Sequence, residues 1–345
     1  MARRVVVTGV GMVTPVGVTR EESWKNLLEG RSGVATVPAW AEDRFGDDKI
    51  LPVTIAGLVK DWRGDEWIEP KKDVKKMDVF LQYSMGAAHQ AWQQAGLPAK
   101  LEGREAERTA AIVGVGLGGI HTIISAWETL RTKGPRRVSP FCIPGLVGNM
   151  APGYMAIRYG IQGPNWAPAS ACSSGGHGIG EAFIHIREGR VDMALAGGAE
   201  AGTHPLCVAG FSSMHAMCTT SNDAPERASR PFDRTREGFV LGEGAGMMVL
   251  EELEHAQRRG ANILAELVGY GSTGDAYHIT APAPEGVGAQ RAMNDALRMA
   301  SMNADQVTYV NAHGTSTPFN DKNETEAIKG VFGTWAKGGL MVSST

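Results

Sequence analysis

The sequence predicts an α/β protein whose sheet is largely covered by helices, and three observations carry that prediction. Short runs of β-branched or small apolar residues alternate with longer stretches of helical period, the pattern of strand–helix units. Glycine supplies 45 of the 345 residues, about twice the usual share, and gathers at the ends of the apolar runs, where tight turns or close backbone approach are needed. Hydrophobic residues make up 43% and charged residues 21%, an ordinary globular balance, and the length allows roughly two domains.

Taken in chain order, "RVVVTGVG" reads as a first buried strand, beginning at Val5. "MDVFLQYSMGAAHQAWQQAG" follows as a helix, "TAAIVGVG" as a strand and "IHTIISAWETLRTKG" as a helix, each helix closed by a glycine in C-cap position. "DMALAGGAE" and "AGMMVLEEL" read as two more buried strands. The polar stretch "SNDAPERASRPFDRTREGFV", rich in proline and charge, is expected on the surface or near a site entrance. At "ILAELVGYGSTGDA" a second cycle opens, strand then glycine-rich turn, echoing "RVVVTGVGMVTPVG". The echo predicts two similar halves meeting near Glu254, residues 1–254 and 255–345.

Composition narrows the function. A net charge of −3 gives no sign of a general nucleic-acid binder. The four cysteines, Cys142, Cys172, Cys207 and Cys218, show neither CxxC spacing nor the density of a disulfide scaffold, which suits a reducing, cytoplasmic setting. "MARRVVVTGVGMVTPVG" superficially mimics a signal peptide. Gly9, Gly11 and Pro15 interrupt its apolar stretch, however, and no cleavage site follows. No apolar run approaches the roughly 18 residues of a membrane span.

The chemistry concentrates in "PASACSSGGHGIG", residues 168–180, where one thiol stands among residues with almost no side chains. Ile179, Ala182, Phe183 and Ile186 follow at i, i+3, i+4 and i+7, one apolar helical stripe. Cys172 therefore sits at or just before the first turn. There the unpaired N–H groups and the positive end of the helix dipole favour a thiolate and can receive an oxyanion. The plainer alternative is a structural buried cysteine. A proton-handling partner is offered by "YVNAHGTSTPFND", where His313 leaves a strand end into a turn of small hydroxyl residues; a satisfied surface histidine is the alternative. The protease signature C-G-[SA]-C-[WY] does not occur around the cysteine.

With "SACSSGGHGIGEA", "AGGAEAG", "SRPFDRTREGFVLGEGAG" and "YVNAHGTSTPFND" in family order, the chain resembles the β-ketoacyl-acyl-carrier-protein synthases, above all the elongating type-II form, from residue 3 to residue 345. The resemblance implies a thiolase-like αβαβα sandwich of two similar halves, usually a homodimer, and a decarboxylative Claisen condensation that needs no cofactor beyond the phosphopantetheine of the carrier. It implies Cys172 as the acylated nucleophile, His313 as the first of two active-site histidines and Glu324 as the acidic residue behind the site. Thr280, Thr315 and Thr317 match pantetheine-holding positions, and Phe211 matches an acyl-pocket wall. Cys207 stands where relatives often have glycine beside that pocket. Relatives meet acidic acyl carrier proteins with basic residues at positions matching "KKDVKK" (Lys71, Lys72, Lys75 and Lys76) and "PRR" (Arg136 and Arg137). A polyketide-type ketosynthase shares the chemistry. A non-catalytic chain-length-factor-like partner is disfavoured by the retained Cys172, and a thiolase by H-G-T-S-T.

The family pattern continues after "VSST" into a Lys-Ser-Met-Thr-Gly-His segment and a Gly-Phe-Gly-Gly loop. The chain as given ends at Thr345, so the resemblance implies an incomplete second half, expected to acylate but not to elongate. Pro168 is expected to interrupt a strand just before the nucleophile. Two motifs are read as decoys. "GVGLGG", residues 114–119, fits G-x-G-x-x-G but has no acidic residue between positions 130 and 150, so it is taken as a packing turn. His177, Glu181 and His185 share a helical face at i, i+4 and i+8 and are read as packing or hydrogen-bonding residues, with no metal.

Overall fold

The buried runs form one mixed six-stranded sheet in this computed structural model, which describes residues 3–43, 45–46 and 49–344. Across the sheet the strands run Asn165–Trp166, Thr109–Gly114, Met193–Glu200, Gly244–Glu252, Val5–Val13 and Ala265–Leu267. The first three are parallel and the remaining pairings antiparallel. Alternation decides what each face meets. Ala111, Val113, Leu195, Met247 and Val249 join Phe80 and Leu81 of the helix Val79–Gln94 in the main apolar core. Their neighbours Ala110, Ile112, Ala194 and Ala196 are equally buried, and the helix Ser174–Arg187 packs on these strands.

The chain divides into two compact units. The first, holding the sheet, comprises residues up to Gly33, Gly57–His204 and Gly242–Leu267. The second comprises Val34–Ala56, Pro205–Leu241 and the chain from Val268. It contains the helices Val287–Ala300 and Pro318–Phe332 and the parallel strand pair Tyr309–Asn311 and Met341–Ser343.

The stretch read as opening a second cycle behaves differently at its two ends. Ala265–Leu267 is a strand, but it adds to the first sheet, antiparallel to residues 5–7. The Arg4 guanidinium grips the Glu266 carboxylate there with two bonds, at 2.6 and 2.7 Å. Beyond it the glycines carry the echo. A methyl on Gly9 or Gly11 would lie 2.1 or 2.0 Å from the carbonyl oxygens of Ala91 and Ala87, and one on Gly269 or Gly271 would lie 2.2 or 1.9 Å from those of Ala296 and Ala292. In both units, then, a helix with alanines four residues apart lies directly on a Gly-x-Gly backbone, a contact that any side chain would block.

Two features of the first unit lie outside its core. Ile123, Trp127 and Leu130 of the helix Ile120–Lys133 are 44%, 57% and 40% exposed, so the apolar stripe that predicts this helix faces outward. Glu251, on the strand Gly244–Glu252, is a fully buried carboxylate held by Arg259 Nε and His255 Nδ1, both at 2.8 Å, and by the Thr8 hydroxyl. Among the described residues no helix is long and apolar enough to cross a membrane.

Candidate active site

Cys172 is positioned by backbone packed on backbone. A methyl on Gly114 would lie 1.9 Å from the Ser174 carbonyl oxygen, and one on Gly178 would lie 2.7 Å from the Gly197 carbonyl oxygen. The missing side chains thus let the first turns of the helix Ser174–Arg187 rest directly on two central strands. Ala182, Phe183 and Ile186 are buried on the predicted stripe. Cys172 lies just before this helix, in the exposed 3-10 turn Ala171–Ser173. Ala171 has φ +52°, a left-handed backbone that costs a non-glycine residue about 1 kcal/mol. The buried Ser174 hydroxyl fastens the turn, accepting the Ser170 N–H at 2.8 Å and donating to the Ala171 carbonyl at 2.7 Å. An exposed thiol at a helix start is where N–H groups and dipole favour its ionised form.

Pro168 is not in a strand as expected. The strand stops at Trp166, and the Pro168 carbonyl accepts the Val115 N–H at 3.1 Å, so the missing proline donor costs no ladder bond. The two decoy motifs have structural partners. The glycine-rich turn at 116–118 closes around the Glu200 carboxylate, which accepts the Leu117 N–H at 2.5 Å. His177 Nδ1 is 2.5 Å from the Ser170 hydroxyl, and His185 is buried edge-on to Trp166, its ring centroid 4.9 Å away. Burial lowers the His185 pKa. Among the described residues no three His, Cys, Asp or Glu side chains gather as a metal-binding group.

His313 lies in the second unit, exposed just beyond the strand Tyr309–Asn311. Carboxylates shape its turn. Glu324 accepts the His313 N–H at 2.7 Å and the Gly314 N–H at 2.8 Å, one bond per oxygen. Buried Asp321 accepts the N–H of Ser316 at 3.1 Å and of Phe232 at 2.8 Å, and pairs with Arg236 at 3.3 Å. Ser316, buried at φ +66°, accepts the Arg230 N–H on its hydroxyl at 3.0 Å. The Arg236 guanidinium also donates to the Thr317 and Pro318 carbonyls. The stretch 221–240, expected as a surface or entrance loop, thus braces the histidine turn. The roles of Asp321, Arg230 and Arg236 were hidden because their partners lie more than 80 residues away in sequence.

Of the pantetheine candidates, Thr315 and Thr317 are brought together, their hydroxyls 2.9 Å apart, whereas Thr280 is exposed beside His278 in a separate segment. Thr317 also caps the helix Pro318–Phe332 by accepting the Asn320 N–H. Cys207 and Phe211 lie four residues apart on the helix Pro205–Ser213, on one side of it, and the Phe211 ring meets Phe239 edge-on at 5.2 Å.

The two basic runs occupy the 3-10 helices Lys71–Lys76 and Pro135–Arg137. Lys75, Lys76 and Arg137 line one cleft of about 350 Å³, with His121, Thr122 and Phe141. Lys76 bonds Asp73 at 2.5 Å and lies 5.0 Å above the Phe141 ring. Lys71, Lys72 and Arg136 are exposed but do not line the cleft, and Lys71 pairs with Asp65 at 3.8 Å.

These features have counterparts in known proteins. The family model described as beta-ketoacyl synthase, N-terminal domain, matches residues 2–256, and its C-terminal-domain companion matches 264–345. A 3-oxoacyl-[acyl-carrier-protein] synthase 2 of Vibrio harveyi is 47% identical over 343 residues, 99% of this chain and 80% of the relative. Among solved structures, a type II PKS acyl-carrier protein in complex with its ketosynthase matches with TM-score 0.86 at 33% identity, covering 100% of this chain and 81% of that one. A β-ketoacyl synthase from Burkholderia phymatum STM815 matches with TM-score 0.86 at 34% identity, covering 96% and 78%. The mixed α/β architecture is therefore that of the ketosynthases. A thiol raised at a helix start and a histidine turn clamped by carboxylates stand on a chain that belongs to the β-ketoacyl synthase family, acyl-transferring condensing enzymes.

Proposed function

We propose that the reaction this chain serves is the chain-elongating condensation of fatty-acid synthesis, with Cys172 as the group that carries the growing acyl chain. The exposed helix-start setting of the thiol is the observation that carries this reading. Cys172 sulfur attacks the thioester carbonyl of an acyl carrier, the carrier thiol leaves, and the acyl group rests on the protein. Malonyl carrier then loses CO2, and the enolate so formed attacks the Cys172 thioester and releases the thiol. Splitting one difficult step into two is the gain of covalent catalysis. His313 polarises the malonyl thioester carbonyl, Glu324 holds the histidine turn, and Thr280, Thr315 and Thr317 hold the pantetheine arm. Phe211 and Cys207 line the acyl pocket. The repeated arrangement of a helix over Gly-x-Gly in each unit supports a reading as two ketoacyl-synthase halves, residues 1–254 and 255–345.

The test is covalent. Incubation with acyl carrier substrate, followed by peptide mapping, is expected to place the acyl mass on Cys172, and Cys172→Ser to abolish it. Acylation mainly at Cys142, Cys207 or Cys218 would sink the assignment.

The carrier is expected to dock on the basic residues Lys71, Lys72, Lys75, Lys76, Arg136 and Arg137, with Lys75, Lys76 and Arg137 at the cleft. Exposed charge mainly steers association. Reversing Lys75 and Arg136 to Glu should therefore raise KM for acyl-carrier substrate several-fold at low salt and spare a small acyl-pantetheine mimic. Equal loss with both substrates would rule docking out. A cytoplasmic homodimer is part of the same reading. The outward apolar stripe Ile123, Trp127 and Leu130 and, separately, the unpaired edge of the strand Asn165–Trp166 are features that a second copy could cover. Sedimentation as a monomer at micromolar concentration would refute the dimer.

A further inference from the structure

The strand Thr109–Gly114 leaves its ladder just where it reaches the thiol turn. Val115 still donates to the Pro168 carbonyl, but residues 116–118 have no strand partner among the described residues. What occupies them is Glu200, the last residue of the neighbouring strand Met193–Glu200. Its carboxylate accepts the N–H of Leu117 at 2.5 Å and of Ala201 at 3.2 Å, and the N–H groups of Gly116 and Gly118 also turn to it. Successive N–H groups converging on an anion form the same kind of nest that elsewhere binds phosphate. Here the protein fills it with its own carboxylate. Gly116 is also close to the thiol turn. A methyl placed on it would lie 2.8 Å from Glu200 Oε2 and 3.8 Å from the carbonyl oxygen of Ala171, the left-handed residue preceding Cys172. On its far side the loop is tied by the Gly119 N–H to the Leu146 carbonyl at 3.0 Å.

We propose that Glu200 is a positioning residue for the nucleophile: by filling the 116–118 nest it fixes the loop that backs the Ala171–Cys172 turn. This rests on the reading of Cys172 as the nucleophile. Burial pushes the Glu200 carboxyl up from its ordinary value against the pull of the N–H groups. Glu200 is only partly buried and Gly116 and Leu117 are exposed, so its role is to hold the loop in place rather than to fill a buried site.

The experiment uses the full chain, with the thiols of one molecule as mutual controls. Wild type, Glu200→Gln and Glu200→Ala are alkylated with iodoacetamide, and the rates at Cys172, Cys142 and Cys218 are followed by peptide mapping alongside thermal melting. Glutamine keeps the volume but sets an amide donor against N–H donors; alanine removes the group. Cys172 alkylation is expected to slow about tenfold in both variants, the scale of a positioning defect, with Cys142 and Cys218 unchanged. An unchanged Cys172 rate overturns the proposal. So does a change shared by all three thiols, or failure of both variants to fold, since each assigns Glu200 to stability alone. If wild-type Cys172 is not the fastest thiol, the nucleophile reading itself fails, and this outcome is visible before any variant is compared.

Discussion

The turn that carries Cys172 and the turn that carries His313 solve one problem by opposite means. Each holds in the open a side chain proposed to act in catalysis, Cys172 before a helix and His313 past a strand, and each includes a non-glycine residue of left-handed backbone, Ala171 at φ +52° and Ser316 at φ +66°. The cysteine turn is seated by subtraction: Gly114 and Gly178 let a helix rest on strand backbone. The histidine turn is seated by addition: Glu324, Asp321 and the Ser316 hydroxyl bond its N–H groups and those of the stretch that braces it. The first should fail when atoms are added, the second when they are removed.

The largest effect expected is from Gly114→Ala. The new methyl would lie 1.9 and 2.0 Å from the Ser174 carbonyl oxygen and carbon, both backbone atoms that a rotamer change cannot move. A loss above about 4 kcal/mol, or failure to fold, is expected by urea denaturation. A mild effect would show that the helix and strand can part, and that the thiol is not seated as described. In the second unit the matching break is Asp321→Ala, which strands the Arg236 charge and two N–H donors. It should cost about 3 kcal/mol, with Asp321→Asn costing clearly less because its oxygen can keep one of the bonds.

A carboxylate away from both turns sharpens what holds an anion. Burial alone would raise the Glu251 pKa, but bonds from Arg259, His255 and Thr8 and the Arg259 charge outweigh it and hold it at about 2. Its folded value is thus below its ordinary 4.5. The stability it contributes is full above about 4.5 and is lost as pH falls toward 2, on the order of 3 kcal/mol. Glu200 is shifted the other way, so its contribution is present at low pH and declines as pH rises through its folded value. Urea melts between pH 3 and 7 should show the acid loss, and Glu251→Gln should flatten it. An unaltered acid limb in that variant would assign the loss to other groups.

Glu324→Ala comes next. It frees the N–H groups of exposed His313 and buried Gly314 and should cost about 1 to 2 kcal/mol of stability. With acyl-carrier substrates kcat should fall more than KM rises, because the histidine loses orientation and not contact. A pure KM effect would argue against the clamp.

How much of this was legible in the sequence follows the same division. The cysteine turn was legible because its information is local: a thiol, a run of small residues and an apolar stripe within 19 residues, 168–186. The four long strands and the two helices around residues 79–94 and 120–133 were legible for the same reason, since period and glycine stops are short-range signals. The histidine was legible only as a type of residue at a strand end. Its bracing by Arg230, Arg236 and Asp321 was not, because hydrogen bonds spanning more than 80 residues leave no periodic trace. The nest around Glu200 was missed for a related reason. "GVGLGG" was read as a packing turn, and nothing near it announced that the turn closes on a carboxylate 83 residues on.

The smallest expected effect separates the two turns most cleanly, because it applies one substitution to both. Ala171→Gly and Ser316→Gly each relieve a left-handed residue, worth about 1 kcal/mol. Each also loosens the unfolded chain by a comparable 0.5 to 1 kcal/mol, roughly cancelling the gain. The Ala171 methyl is exposed and bonds nothing, so its loss should leave stability within about 0.5 kcal/mol of wild type. Ser316 is buried and its hydroxyl accepts the Arg230 N–H, so its removal leaves a donor without its acceptor and should cost about 1 kcal/mol. The difference between the two variants, measured in one urea series, is the contribution of the added hydroxyl. If the two variants are equally stable, side-chain bonding does not hold the histidine turn, and the contrast between a turn made by subtraction and one made by addition collapses.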